Sequence, residues 1–202
     1  QLAVFYLLAF RLSYVRGAIT EEQCMSYTEK LLGIPELIEK ILEKPETCQF
    51  AASRLVADEH LLYIGRGLDY ALSMEGSLKL KEISYIHSES YAAGELKHGT
   101  ISLITEDMPV IAVATQRDVL DKTVSNIKEV KSRGAFTIVV TREGTDFDKD
   151  VADILVTVPE TDDLLMPMTA VVPLQLIAYY TADLRGNDVD KPRNLAKSVT
   201  VE

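Results

Sequence analysis

The chain has 202 residues, of which 47% are hydrophobic and 26% charged, with a formal net charge of −10 and a pI near 4.8. This composition is typical of a globular domain with a sizeable core. The acidic balance argues against a nucleic-acid partner, because phosphate backbones are bound by basic surfaces. It does not exclude a small anionic ligand, since a few local groups can override the net field.

The first residues form an apolar run, QLAVFYLLAF, which Arg11 and Arg16 break. The run is too short to span a bilayer, and it lacks the basic start and small-residue cleavage site of a signal peptide. No membrane partner is therefore expected. A chain that opens on Gln1 in an apolar helix suggests a piece of a longer protein.

Helices are predicted over residues 1–17, as a buried helix, over 21–45, and over 46–57. Pro35 either interrupts the second helix or starts a new one, and Pro45 lies near the first turn of the third. The two cysteines have no Cys-x-x-Cys or Cys/His partner spacing, so they are expected to be reduced thiols in a cytoplasmic protein. No metal and no cofactor are predicted.

From residue 60 onward, short apolar runs alternate with helices. The predicted strands are HLLYIGRG (60–67), MPVIAVAT (108–115), AFTIVVT (135–141) and ADILVTVP (152–159). The predicted helices cover residues 70–86, 117–133 and 166–185, and a polar tail, 187–202, follows. Continuously apolar strands alternating with helices indicate a doubly wound α/β fold with a parallel sheet.

Ligands of such folds bind beyond the carboxyl ends of the strands. That rule singles out the turn Gly65–Arg66–Gly67 and the start of the next helix as substrate-binding candidates. A glycine-rich turn that feeds a helix can hold an anion with its backbone N–H groups, or it can simply be a tight turn. It is not a dinucleotide fingerprint, because Tyr70 stands where the third glycine is required.

The helix that follows carries Glu75, Lys79 and Glu82 at spacings of four and three, which place them on one face. They form either a solvated ion-pair ladder or the wall of an active site. Burial raises the pKa of a carboxyl group and a nearby lysine lowers it, so a glutamate between those effects can act as a general base. Glu82 lies further into the apolar part of the helix.

Three histidines are present. His60 precedes a strand and is expected to be exposed, and His87 is expected to end the helix, where a cation suits the dipole. His98 stands between two glycines in AAGELKHGT and is either structural or catalytic. In the polar tail, Leu195, Val199 and Val201 could fix the chain to a surface and thereby place Lys197.

Two motifs, EGSLKLKEISYIHSESYAAGELKHG and DVDKPRNLAKSVTVE, closely resemble the C-terminal part of the glutamine–fructose-6-phosphate aminotransferase family. The resemblance runs from about residue 60 to 202. It implies a three-layer α/β/α sandwich with a parallel sheet (SIS, or sugar isomerase, flavodoxin-like), preceded by helices. It also implies a helical connection over 1–57, the second SIS subdomain over 58–186 and a C-terminal tail over 187–202.

The resemblance implies roles for individual residues. Glu82 matches the base that moves a proton between C1 and C2 of the sugar, and Lys79 matches the lysine beside it. His98 matches the histidine that opens the sugar ring, reaching in from the neighbouring subunit of a homodimer. Lys197 matches the tail lysine that contacts the substrate. Glu75, on the same helix as Lys79 and Glu82, is expected to support the others as a substrate-binding residue.

The implied substrate is fructose 6-phosphate and the implied product is glucosamine 6-phosphate. The glutaminase and first SIS regions of this family have no counterpart in the sequence, and GRGLDYA replaces the serine- and threonine-rich phosphate loop. The chain alone is therefore expected to be inactive. Two alternatives are a phosphosugar-binding or dimerising SIS module without catalysis, and a stand-alone isomerase, which would need its own phosphate loop.

Overall fold

The computed structural model describes residues 1–148 and 150–195, which contain seven α-helices and five β-strands. The helices are α1 (Leu2–Val15), α2 (Glu21–Leu32), α3 (Ile34–Leu42), α4 (Glu46–Leu55), α5 (Leu68–Ser84), α6 (Leu120–Lys131) and α7 (Met166–Leu184). The strands are β1 (His60–Gly65), β2 (His87–Ala92), β3 (Pro109–Ala114), β4 (Phe136–Arg142) and β5 (Ile154–Val158).

All neighbouring strands pair in parallel, in the order β2-β1-β3-β4-β5. Helices α4, α5 and α7 cover one face of the sheet, and α6 with the 3₁₀ segments between residues 93 and 103 covers the other. This arrangement is the predicted three-layer α/β/α sandwich, so the fold prediction is confirmed. The strand order reverses between β1 and β3, which makes their carboxyl ends the topological switch point of the sheet.

The four predicted strands are present; β1, β3 and β4 are covered on both faces, whereas β5, at the edge of the sheet, is buried at alternate residues. Strand β3 is buried at every residue, and β1 is buried from Leu61 to Gly65. Pro35 lies in the first turn of α3, so it starts a new helix rather than interrupting one. Residues of α3 and α4, including Ile41 and Leu55, belong to the same core cluster as α5 and α7.

Strand β2 was not predicted, and the expectation that His87 ends a helix is wrong. Helix α5 stops at Ser84 because Tyr85 takes the left-handed conformation, with φ at 63°. His87 then begins β2, at the edge of the sheet. The polar sequence HSESYA gives no apolar run, yet Ser88 is buried and its hydroxyl lies 2.9 Å from that of Ser77 on α5.

The prediction that the first helix is buried is also wrong for this chain. Only Phe10 of α1 is buried, where it stacks on Tyr27 of α2. Seven other apolar residues of α1 are between 46 and 65% exposed: Leu2, Val4, Phe5, Leu7, Leu8, Leu12 and Val15. A helix that is apolar on all sides needs partners on all sides, and the described residues supply a partner on one. None of the helices within the described ranges is long and apolar enough to cross a membrane.

Candidate functional site

The turn between β1 and α5 holds three of the four predicted substrate-binding residues, Gly65, Arg66 and Gly67. A Cβ atom on Gly65 would lie 2.4 Å from the carbonyl oxygen of Asp69, so only glycine fits there. Gly67 has φ of 57° and ψ of −126°, a conformation that L side chains rarely adopt. The Arg66 Nε–H donates to Asn126 Oδ1 at 3.1 Å, and the Arg66 guanidinium packs against Gly94. The Arg66 side chain therefore joins this turn to α6 and to the segment after β2.

Gly65→Ala is expected to lower the free energy of unfolding by at least about 3 kcal/mol, because the added methyl group meets backbone that cannot move aside. Gly33→Ala is the matched control. Gly33 has φ of −80° and its nearest atom is 3.5 Å from an added Cβ, so this change should be neutral or slightly stabilising. Denaturant titration of both variants measures the difference, and equal stabilities would contradict the clash.

A buried carboxylate lies at the switch point itself. Asp69 is the second residue of α5 and is fully buried. Its Oδ2 accepts hydrogen bonds from the backbone N–H groups of Thr115, at 2.7 Å, and Gln116, at 3.0 Å. Its Oδ1 accepts one from the Thr115 hydroxyl at 2.5 Å. Burial raises the pKa of Asp69, and the three donors and the Arg142 guanidinium act in the opposite direction.

Sequence reasoning missed Asp69. The available signal was an acidic residue just inside the helix that follows a glycine turn, with a threonine directly after the neighbouring buried strand. Those features become informative only when the topology brings the carboxyl ends of β1 and β3 together.

An ion-pair network borders the carboxyl ends of β4 and β5. Arg142 is buried at the end of β4 and its guanidinium contacts Glu160 and Asp163. Arg117 pairs with the same two carboxylates, at 2.8 and 2.9 Å. A cavity of about 330 Å³ opens beside these residues and reaches Thr115. Each arginine therefore already faces two carboxylates, which weakens the attraction of this cavity for an anion.

The predicted common face of Glu75, Lys79 and Glu82 is present on α5, and these three residues are called the stripe below. Lys79 Nζ lies 2.7 Å from Glu82 Oε2 and 3.9 Å from Glu75 Oε1. The three side chains are between 32 and 42% exposed, so the stripe is neither buried in the core nor fully solvated. Lys79 is thus aligned with Glu82 on a face that a ligand or another protein segment can reach.

The structure does not bring the turn and the stripe together. The helix rises 1.5 Å per residue, so Glu82 lies about 21 Å along α5 from Leu68. Gly65, Arg66 and Gly67 are at the carboxyl edge of the sheet, and Glu82 is near the amino edge, where β2 begins. The expectation of one site beyond the carboxyl ends of the strands therefore does not describe the position of Glu82.

His98 lies at the end of a 3₁₀ helix after β2, and its side chain is 75% exposed. It lines a shallow cavity of about 500 Å³ with Tyr91 and Glu95. Its Nε2 lies 3.9 Å from Glu95 Oε2. Strand β2, on the order of 17 Å long, separates the end of α5 from this segment, so His98 and Glu82 do not meet within one protomer.

A cavity of about 680 Å³ opens at the amino edge of the sheet. Its lining includes His60, His87, Glu89, Leu103 and Met108. Among the predicted site residues that the structure describes, none lines this cavity. Within residues 1–148 and 150–195, no group of three or more His, Cys, Asp or Glu side chains is arranged to hold a metal ion.

The chain after α7 returns to the end of α5. The Asn187 Nδ2 donates to the carbonyl oxygens of Ile83 and Ser84, at 3.0 and 3.3 Å. The Arg193 N–H donates to the Tyr85 hydroxyl oxygen at 2.9 Å, and its guanidinium lies 4.0 Å from the centre of the Tyr85 ring. The predicted tail residues Lys197, Val199 and Val201 lie outside the described residues, whereas Leu195 is exposed.

A family model of the SIS domain matches residues 54–184, well over half of the chain. The chain belongs to the SIS domain family. The matched residues include all five strands, the turn with Asp69, the stripe on α5 and His98.

Several relatives of this SIS chain carry the same name. The chain is 48% identical to a glutamine–fructose-6-phosphate aminotransferase [isomerizing] of Clostridium acetobutylicum and 51% identical to that of Clostridium tetani. An archaeal protein of the same name, from Thermococcus kodakarensis, is 48% identical. Each match covers 100% of this chain and 33% of the relative. The chain therefore spans about a third of the length of the curated relatives that it matches.

Solved structures agree with this assignment. The C-terminal domain of glucosamine-fructose-6-phosphate aminotransferase from Francisella tularensis superposes with a TM-score of 0.85 at 36% identity, over 92% of this chain and 52% of that one. A tagatose-6-phosphate ketose/aldose isomerase structure from Clostridium novyi has a TM-score of 0.77 at 17% identity and covers 90% of this chain and 50% of that one. The second similarity concerns the fold alone.

Proposed function

We propose that this SIS domain is the isomerase part of a glutamine–fructose-6-phosphate aminotransferase, which converts fructose 6-phosphate and glutamine into glucosamine 6-phosphate and glutamate. One observation carries the proposal: the Lys79–Glu82 pair, at 2.7 Å, on an accessible helix face. The names of the relatives, which share 46 to 51% identity over the whole chain, identify the reaction. Residues 58–186 are the second SIS subdomain, 1–57 the helical connection into it and 187–202 its tail.

The proposed chemistry moves two protons and stabilises one oxygen. Ammonia from glutamine condenses with the C2 ketone of the open sugar and releases water, which gives an imine. Glu82 takes a proton from C1 and returns it to C2. The C1 hydroxyl loses its proton and the imine nitrogen gains one, so that C1 becomes the aldehyde and C2 carries the amine. Lys79 stabilises the enolamine oxygen through its charge, and Glu75 holds Lys79 from the other side.

Ring opening is assigned to His98, and the structure supports a contribution from a second protomer. Glu82 and His98 lie at opposite ends of β2, and the His98 side chain is largely exposed. A homodimer in which each His98 serves the Glu82 of its partner completes two sites by symmetry. Lys197 is proposed to contact the substrate near its reacting carbons. The enzyme is proposed to be cytoplasmic and to use no metal or cofactor.

The sugar phosphate is proposed to be held mainly by regions of the whole protein that this chain lacks. Support comes from the coverage of 33% of the relatives' length and from the position of Arg66, which is engaged by Asn126. Calorimetric titration of the 202-residue chain with fructose 6-phosphate tests this. We expect no saturable heat below millimolar concentration and no synthase activity. Clear binding, or glucosamine 6-phosphate formed by this chain with glutamine as donor, would contradict the proposal.

A further inference from the structure

The switch point between β1 and β3 is where open α/β sheets usually bind their ligand. In this chain several hydrogen-bond donors point to one position there. Thr115 and Gln116 follow the last residue of β3, and both of their backbone N–H groups point at one spot. Asp69, the second residue of α5, directs its carboxylate at the same spot. Consecutive backbone N–H groups that converge in this way favour a negative charge.

The carboxylate of Asp69 occupies this position. The Asp69 carboxylate is fully buried and accepts from all three donors, the Thr115 hydroxyl included. Burial raises the pKa of Asp69, and the three donors favour its charged form. The Arg142 Nε donates to the Thr115 carbonyl oxygen, which keeps the guanidinium close, and its positive charge also favours the charged form of Asp69.

We infer that the Asp69 carboxylate is an internal anion that occupies the ligand position of this sheet. The unmodified chain consequently excludes a phosphoryl or carboxylate ligand from its switch point. Removal of the Asp69 side chain creates a site for a small oxyanion, with Thr115 and Gln116 as its donors. This inference goes beyond the proposed function and does not depend on the role of Glu82.

The experiment tests whether an added anion stabilises Asp69→Ala. The readout is thermal unfolding of the 202-residue chain in formate and in chloride at equal ionic strength. Formate is the probe because it has the size of the deleted group. We expect the variant to unfold at lower temperature than the wild type in chloride. Saturating formate should raise its Tm by about 3 °C or more while leaving the wild type unchanged.

Ser73→Ala is the matched control. It removes a buried hydrogen bond from the same helix turn, donated to the Asp69 carbonyl oxygen at 2.8 Å, but it vacates no anion position. This variant should lose stability and show no formate response. If Asp69→Ala does not fold in chloride, Asp69→Ser is used, and the refolded fraction with and without formate replaces Tm. Equal responses of Asp69→Ala and wild type to formate would overturn the inference.

Discussion

Glu82→Gln in the full-length protein is expected to lower the rate of glucosamine 6-phosphate formation by about 10²- to 10⁴-fold. The substitution keeps the shape of the side chain and removes the group that carries the proton between C1 and C2. Binding of fructose 6-phosphate should survive, because the stripe is not the proposed phosphate site. Steady-state turnover and calorimetric binding, measured on the same preparation, separate the two effects.

Glu75→Gln is the matched control for this experiment. Glu75 lies on the same face of α5, but its Oε1 is 3.9 Å from Lys79 Nζ, against 2.7 Å for Glu82 Oε2. Its loss should reduce turnover by no more than about tenfold, since it acts through an exposed ion pair. If Glu82→Gln retained wild-type turnover, the assignment of the base would be wrong.

Mixing two inactive full-length variants is expected to restore activity. In Glu82→Gln and His98→Asn dimers every site lacks one group. In a mixed dimer, one of the two sites combines the intact Glu82 of one protomer with the intact His98 of the other. Random exchange at equal amounts makes half of the dimers mixed, so about one quarter of wild-type activity should return.

The control for subunit exchange is a mixture of Glu82→Gln with Glu82→Gln/His98→Asn, in which no intact site can form. Recovery in the first mixture alone assigns the two residues to different protomers. If the first mixture stays as inactive as the control although exchange is complete, Glu82 and His98 act within one subunit. A large rearrangement around β2 would then be required.

The sequence predicted the strands that have continuous apolar runs, which are β1, β3, β4 and β5. Strands β1, β3 and β4 are buried on both faces, and β5 was found from its apolar run although one of its faces is exposed. Strand β2 was missed because an edge strand need not be apolar, and its one buried polar contact, between Ser88 and Ser77, joins residues that no local pattern relates. The exposure of α1 could not be predicted, since a helix pattern does not say which partners are present.

In the candidate site, too, the features set by local geometry were predictable and those set by tertiary contacts were not. The spacing of Glu75, Lys79 and Glu82 predicted their common face correctly, because helix geometry alone sets it. The distance from the turn to Glu82 depends on where a helix begins and on how it lies across the sheet. The predicted role of Arg66 as a substrate ligand is untested, and its hydrogen bond to Asn126 depends on tertiary contacts that adjacent residues do not encode.

Helix α5 is fixed at both of its ends. Near its amino end, Asp69 attaches it to the residues after β3, and at its carboxyl end Asn187 binds the carbonyl groups of Ile83 and Ser84. Along its length, a Cβ atom on Gly76 would lie 2.9 Å from the ring of Tyr63, so the helix also packs directly on the sheet. These contacts hold the backbone of α5 in one position on the sheet. The backbone positions of Glu75, Lys79 and Glu82 therefore keep their mutual distances. In the proposed reaction, movement must come from the side chains themselves, from the sugar and from the chain segments that approach them.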